Sequence, residues 1–131
     1  MIKAVVKRIE NCDSLHLVKF DFKGQTLTMM SLELSSNIKV GTQVLLQAKS
    51  SHVAIGKNTQ DMLISYSNRL DSKIVSITQG ELLASVKLEL CEDVILESII
   101  TKDSVARLEL KEQEIVTAYI KASELSIAKV L

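Results

Sequence analysis

The feature that most narrows what this chain of 131 residues can fold into is that it is written twice. Val18-Lys19-Phe20-Asp21-Phe22 is answered by Val86-Lys87-Leu88-Glu89-Leu90, with the same alternation of apolar and charged positions. Upstream, Val5-Val6-Lys7-Arg8-Ile9 is answered by Ile74-Val75-Ser76-Ile77. Late in each half, Lys49-Ser50-Ser51-His52-Val53-Ala54-Ile55-Gly56-Lys57 corresponds to Lys121-Ala122-Ser123-Glu124-Leu125-Ser126-Ile127-Ala128-Lys129. A duplication on this scale means two copies of one small module, and it rules out most single-domain topologies of the same length. The expected division is a first module over 1–60 and a second over 61–131, joined near Asn58 to Asn68.

Within each copy the hydrophobic period is two, which predicts half-buried strands over Val18–Phe22 and Val86–Leu90. Val44–Ala48 and Ile115–Ile120 are β-branched or apolar runs of strand length. One segment breaks the pattern. Thr101 to Leu108 opens with a capping threonine and carries Asp103 in its first turn, so it predicts a short helix. Its counterpart, Ser31 to Ile38, is richer in serine and reads as a turn or a single helical turn. The expected class is all-β with one short helix per module. Copies this small bury too little surface to be robust alone, so pairing of the copies and then oligomerisation are expected.

Composition removes several functions. Lys and Arg number 16 against 16 Asp and Glu, which gives no basic surface for nucleic acid or for a polybasic membrane contact. Aromatic residues are 3%, too few for a base-stacking platform. No run approaches the roughly twenty apolar residues of a membrane span, and charges interrupt the first ten residues before a signal sequence forms. Cys12 and Cys91 make no CxxC pair. These features together predict a cytoplasmic protein. No Cys–His or Ser–His–Asp set has a sensible spacing, and Gly24, Gly41, Gly56 and Gly80 build neither a P-loop nor a dinucleotide fingerprint, so no enzyme is expected. His16 and His52 read as structural and surface residues, and Met29 and Met30 as core filler.

The second half resembles the molybdenum-binding module called Mop, also described as the TOBE domain. The resemblance is carried by Ile99-Ile100-Thr101-Lys102-Asp103-Ser104-Val105, by Val116-Thr117-Ala118-Tyr119-Ile120-Lys121-Ala122-Ser123, and by Ile127-Ala128-Lys129. The first half is similar through Ala48-Lys49-Ser50-Ser51 and Val53-Ala54-Ile55. In this order they resemble the di-Mop proteins, cytoplasmic molybdate binders with two modules in tandem. The resemblance implies an OB-like five-stranded β-barrel in each copy and closed oligomers, trimers of two-module chains. It also implies molybdate or tungstate bound at module and subunit contacts, for molybdenum storage and homeostasis.

Molybdate is a dianion whose four oxygens only accept hydrogen bonds, so its site needs convergent donors. Lys49, Ser50 and Ser51 supply an ammonium, hydroxyls and backbone N–H groups after one strand, and Lys121, Ala122 and Ser123 do so after its counterpart. Thr101 and Ser104 stand where a helix start leaves N–H groups unpaired, with Ser31 and Ser35 as their first-copy matches. Each residue also has a plain reading, as a helix cap or a solvated lysine. The recurrence of Lys plus hydroxyl in both copies favours the donor role. Mop modules usually begin Ser-Ala-Arg-Asn. Here Ser67 stands at the arginine position, and Arg69, two residues on and on the same strand face, is the candidate replacement. The alternative reading is an effector-sensing or structural oligomerisation module that acts through a protein partner, without a DNA-binding domain.

Overall fold

The computed structural model describes residues Met1–Leu131. The strands in chain order are β1 (Ile2–Cys12), β2 (Leu15–Phe22), β3 (Gln25–Ser31), β4 (Gln43–Gln47), β5 (Ala54–Gly56), β6 (Asn68–Gln79), β7 (Leu83–Cys91), β8 (Val94–Thr101), β9 (Ile115–Ile120) and β10 (Ser126–Val130). One α-helix, α1 (Lys102–Arg107), follows β8, and 3₁₀ turns at Ser50–His52 and Ala122–Glu124 precede β5 and β10.

The compact units do not coincide with the halves of the sequence. One unit comprises Met1–Ala48, Tyr66–Asn68 and Lys121–Leu131, and the other Lys49–Ser65 and Arg69–Ile120. The sheet of the first unit has the order β10-β4-β1-β2-β3, and that of the second β5-β9-β6-β7-β8. These are the same arrangement with the fifth strand exchanged: the end of copy one completes the sheet of copy two, and the reverse. The expected division at 60/61 is therefore corrected. Periodicity shows where a repeat restarts, but not which sheet edge its last strand joins.

Each sheet is built for the same reasons. β1 and β2 bury alternate residues, Ile2, Ala4 and Val6 against Val18, Phe20 and Phe22, as a period of two demands. The β2–β3 hairpin turns through Lys23 and Gly24, both at positive φ (49° and 84°), the primed geometry whose twist suits a two-residue loop. The same bulge falls in both copies, between Val6 and Arg8 in β1 and between Ile74 and Ser76 in β6. Beside it, Val6 exchanges backbone bonds with Thr42 (2.9 Å) and Gly41 (2.8 Å), and Ile74 with Glu114 (2.9 Å) and Gln113 (2.7 Å). The repeat thus extends to individual hydrogen bonds. In the first unit, segment Lys121–Val130 packs its turn against β3 at one edge and pairs β10 with β4 at the other, which curls the sheet towards a barrel. The turn Ser50–His52 and β5 do the same between β8 and β9 in the second unit.

The expectation of one helix per module holds only in the second copy. Residues 32–42 of the first copy form turns without an α-helix. Ser31 Oγ accepts from Glu33 N–H at 3.2 Å and donates back to the Glu33 carbonyl, while Ser35 bonds Asn37, so short side chains capture groups that a helix needs. Met30 is also corrected: Met29 is buried in the core, but its neighbour points to the opposite sheet face and is 41% exposed.

Candidate functional site

The two Lys-plus-hydroxyl turns have the same backbone. Lys49 (φ −61°, ψ 139°) and Lys121 (φ −67°, ψ 150°) each lead out of a strand into a 3₁₀ turn. In the first turn, His52 N–H bonds the Lys49 carbonyl at 2.8 Å; in the second, Glu124 N–H bonds the Lys121 carbonyl at 2.9 Å. The two residues between, Ser50 and Ser51 or Ala122 and Ser123, precede the first intra-turn donor, so their N–H groups are left for an outside acceptor. Lys49 and Lys121 are both exposed. Each turn thus offers successive N–H groups, at least one hydroxyl and an ammonium, a donor set fitted to an anion whose oxygens only accept.

The strand exchange decides what each turn meets. The turn Ala122–Glu124 packs against β3, the strand that ends in Ser31. There Ser31, Ser35, Ser123 and Ser126 line one pocket of ≈ 360 Å³ with Met29, Met30, Leu34, Ile38, Leu125, Ile127 and Glu33. In the other unit the turn Ser50–His52 packs against β8, the strand that ends in Thr101. The donor turn of each copy therefore joins the strand end of the other.

The remaining candidates fall in different surroundings. Thr101 Oγ1 accepts from Ser104 N–H (3.0 Å) and donates to Ser104 Oγ (2.8 Å), and Arg107 donates to Ser104 Oγ at 3.3 Å. Thr101 thus caps a six-residue helix, and Ser104, in its first turn, is engaged by that cap and by Arg107. The register corrects their first-copy matches. Ser31 pairs with His16 and Ile100 with Ala84, so Ser31 corresponds to Ile100, and Thr101 corresponds to the first-copy Leu32. An irregularity between Glu89 and Cys91 inserts the extra residue. Ser67 is exposed just ahead of β6. Arg69 is engaged by protein: it donates to the carbonyls of Thr59 (2.8 Å) and Met62 (3.2 Å) and to Tyr119 OH (3.2 Å), with its guanidinium 5.3 Å from the Tyr119 ring centre. Burial pushes the Tyr119 phenol up, but bonds with Thr59 and Arg69 outweigh it and hold the group below its ordinary value. Arg69 and Tyr119 anchor the segment that joins the two copies. No cluster of three or more His, Cys, Asp or Glu is placed to hold a metal ion.

Sequence reasoning passed over Asn68, which is fully buried. Its carboxamide accepts from Thr28 N–H (2.7 Å) and donates to the Thr28 carbonyl (2.9 Å), as a neighbouring strand would. The signal is present in the sequence, since Asn68 is the fourth residue of the Ser-Ala-Arg-Asn pattern. Lys57 was also passed over. It donates to the carbonyls of Leu108 (3.0 Å) and Glu109 (3.1 Å) after α1 and pairs with Glu114 at 2.8 Å.

Comparison with known proteins agrees with this geometry. The model of the TOBE domain matches residues 64–127. Molybdenum-pterin-binding protein 1 of Clostridium pasteurianum is 39% identical over 66 residues, 50% of this chain and 97% of the relative. Molybdenum-pterin-binding protein 2 of the same organism is 38% identical over the same shares. Among solved structures, the cytoplasmic molybdate-binding protein ModG, with molybdate bound, superposes with a TM-score of 0.89 at 26% identity, over 96% of this chain and 92% of that one. A single-module family matched along about half of the chain, and a two-module fold matched along nearly all of it, account for both copies. The chain belongs to the Mop/TOBE family of molybdate-binding proteins, in its tandem form.

Proposed function

We propose that this protein binds molybdate or tungstate in the cytoplasm and serves molybdenum storage and homeostasis as a closed oligomer. It is a binding protein, not an enzyme. The observation that carries the reading is the donor turn built twice with one backbone geometry, Lys49-Ser50-Ser51 in one unit and Lys121-Ala122-Ser123 in the other. In this reading the N–H groups and hydroxyls bind the oxygens, and each lysine supplies the charge-assisted contact. Ser31 and Ser35 extend the site through the pocket they share with Ser123. Thr101 and Ser104 act mainly by fixing the end of β8. Ser67 and Arg69 contribute least, since Arg69 is committed to Thr59, Met62 and Tyr119. A dianion held by a few converging donors needs no positive field over the whole molecule, which fits a net charge of zero.

Calorimetric titration of the full chain with molybdate, tungstate and sulfate tests this. Saturable binding of the two heavier anions is expected, with Lys49→Ala and Lys121→Ala each weakening it by roughly tenfold, the scale of one charge-assisted bond. No binding of either heavier anion at micromolar protein overturns the function and favours a module that acts through a protein partner. Binding that neither lysine variant alters overturns the donor assignment alone.

A further inference from the structure

The two units differ in charge on the outer face of their first three strands. In the first unit, β1–β3 carry Lys3, Lys7, Arg8 and Lys19 against two carboxylates, Glu10 and Asp21. The corresponding β6–β8 carry three cations, Arg69, Lys73 and Lys87, against three carboxylates, Asp71, Glu89 and Glu97. The bulge in β1 makes Lys7 the extra residue and leaves both Lys7 and Arg8 exposed beside Lys19, the register partner of Arg8. These three side chains and Thr26 line a groove of ≈ 340 Å³. Lys7 Nζ donates to Thr26 Oγ1 at 2.6 Å and Lys19 Nζ to Thr28 Oγ1 at 3.1 Å, so one donor of each ammonium is fixed and aimed along the face. Of the two carboxylates, Glu10 reaches Arg8 only at 3.6 Å, and Asp21 sits opposite Thr26 in the register.

At the matching places of the second unit stand Val75, Ser76 and Lys87, and Lys87 is neutralised by Glu97 at 3.2 Å. Both units form the same sheet, so the fold does not require these cations. Like charges gathered on one face repel unless something offsets them. We propose that this groove is an anion site separate from the donor turns, and that it takes a small ligand bearing adjacent phosphate groups, pyrophosphate or a diphosphate ester. Two ammonium groups and a guanidinium spread along a groove suit an extended multivalent anion, since the guanidinium matches paired phosphate oxygens and each ammonium acts as a point charge. The volume lies at the small end of ligand pockets.

The probe is inorganic pyrophosphate, titrated into the full chain with and without excess molybdate, so that binding at the donor turns is told apart from binding in the groove. Saturable binding is expected, with one equivalent per chain. The double variant Lys7→Ala, Lys19→Gln should weaken it by about tenfold or more, while Lys87→Gln leaves it within about twofold. An unchanged circular dichroism spectrum of the double variant reports that the fold is intact. No saturable binding up to about 1 mM overturns the proposal, as does equal loss in the Lys87→Gln control, which would mark diffuse ionic attraction. The inference does not rest on the donor-turn reading, and either can fail without the other.

Discussion

Replacing Asn68 by alanine should remove one side chain and leave two backbone groups of another residue without partners. Thr28 is 6% exposed, and its outward N–H and carbonyl are met only by the Asn68 carboxamide, at 2.7 and 2.9 Å. A buried polar group left unsatisfied costs about 1–3 kcal/mol, and the space vacated by the carboxamide can admit a water that recovers part of it. The expected loss is therefore about 2–4 kcal/mol. For a unit of this size 1 kcal/mol shifts the midpoint by roughly 4–8 °C, so the low end is already a fall of about 8 °C. Thermal unfolding by circular dichroism reads the fall, and hydrogen exchange locates it, since Thr28 N–H should exchange about 30-fold faster at a cost of 2 kcal/mol. Asn68→Asp sharpens the test. Its carboxylate still accepts from Thr28 N–H but faces the Thr28 carbonyl as a second acceptor, so protonation is favoured in the folded state. A carboxyl whose folded pKa is raised contributes stability at low pH that is lost as pH rises through the folded value. Asn68→Asp should thus approach the wild type in acid and fall behind at neutral pH. A loss under 0.5 kcal/mol in Asn68→Ala, with Thr28 protection unchanged, would refute the clamp.

Gly56→Ala should destabilise by about 1–3 kcal/mol, because an added Cβ would lie 2.5 Å from Tyr119 Cε2 and 2.8 Å from Thr59 Oγ1; an unchanged melting temperature would show that the ring moves freely. In a Tyr66→Phe background, ultraviolet titration should place Tyr119 below a free tyrosine, and Arg69→Met should raise its midpoint, since burial remains while the cation is lost. Glu114 lies below the usual carboxylate value chiefly through its bond from Lys57. Its contribution is present above about 4.5 and fades as pH falls through the depressed folded value. Lys57→Met should therefore lose less stability than the wild type between neutral pH and acid, read by circular dichroism; identical acid profiles would contradict the pair.

Local physics was legible in the sequence. Alternation marked β2 and β7, the Thr101 cap marked α1, and the duplicated Lys-plus-hydroxyl motif marked both turns. What escaped was set by partners distant in sequence. Nothing in Ser126–Val130 says that it pairs with Gln43–Gln47 rather than with its own copy's β9, since the two destinations are near duplicates. The irregularity between Glu89 and Cys91 moves Ser31 out of register with Thr101, because the inserted residue falls at a bulge beside the hairpin turn, where the alternation of β7 already ends. Arg69 looked like a spare cation until the fold set Tyr119 and the Thr59 carbonyl around it.

The exchange of fifth strands has a consequence for synthesis. Residues 2–47 emerge from the ribosome first and hold four of the five strands of their sheet, yet that sheet closes only when Ser126–Val130 arrives, after the other unit has been made. Until then the β4 edge, with Val44 and Leu46, waits without its neighbour. The first unit begun is the last one finished, so its nascent form is where a crowded cell would find the chain most exposed to mispairing.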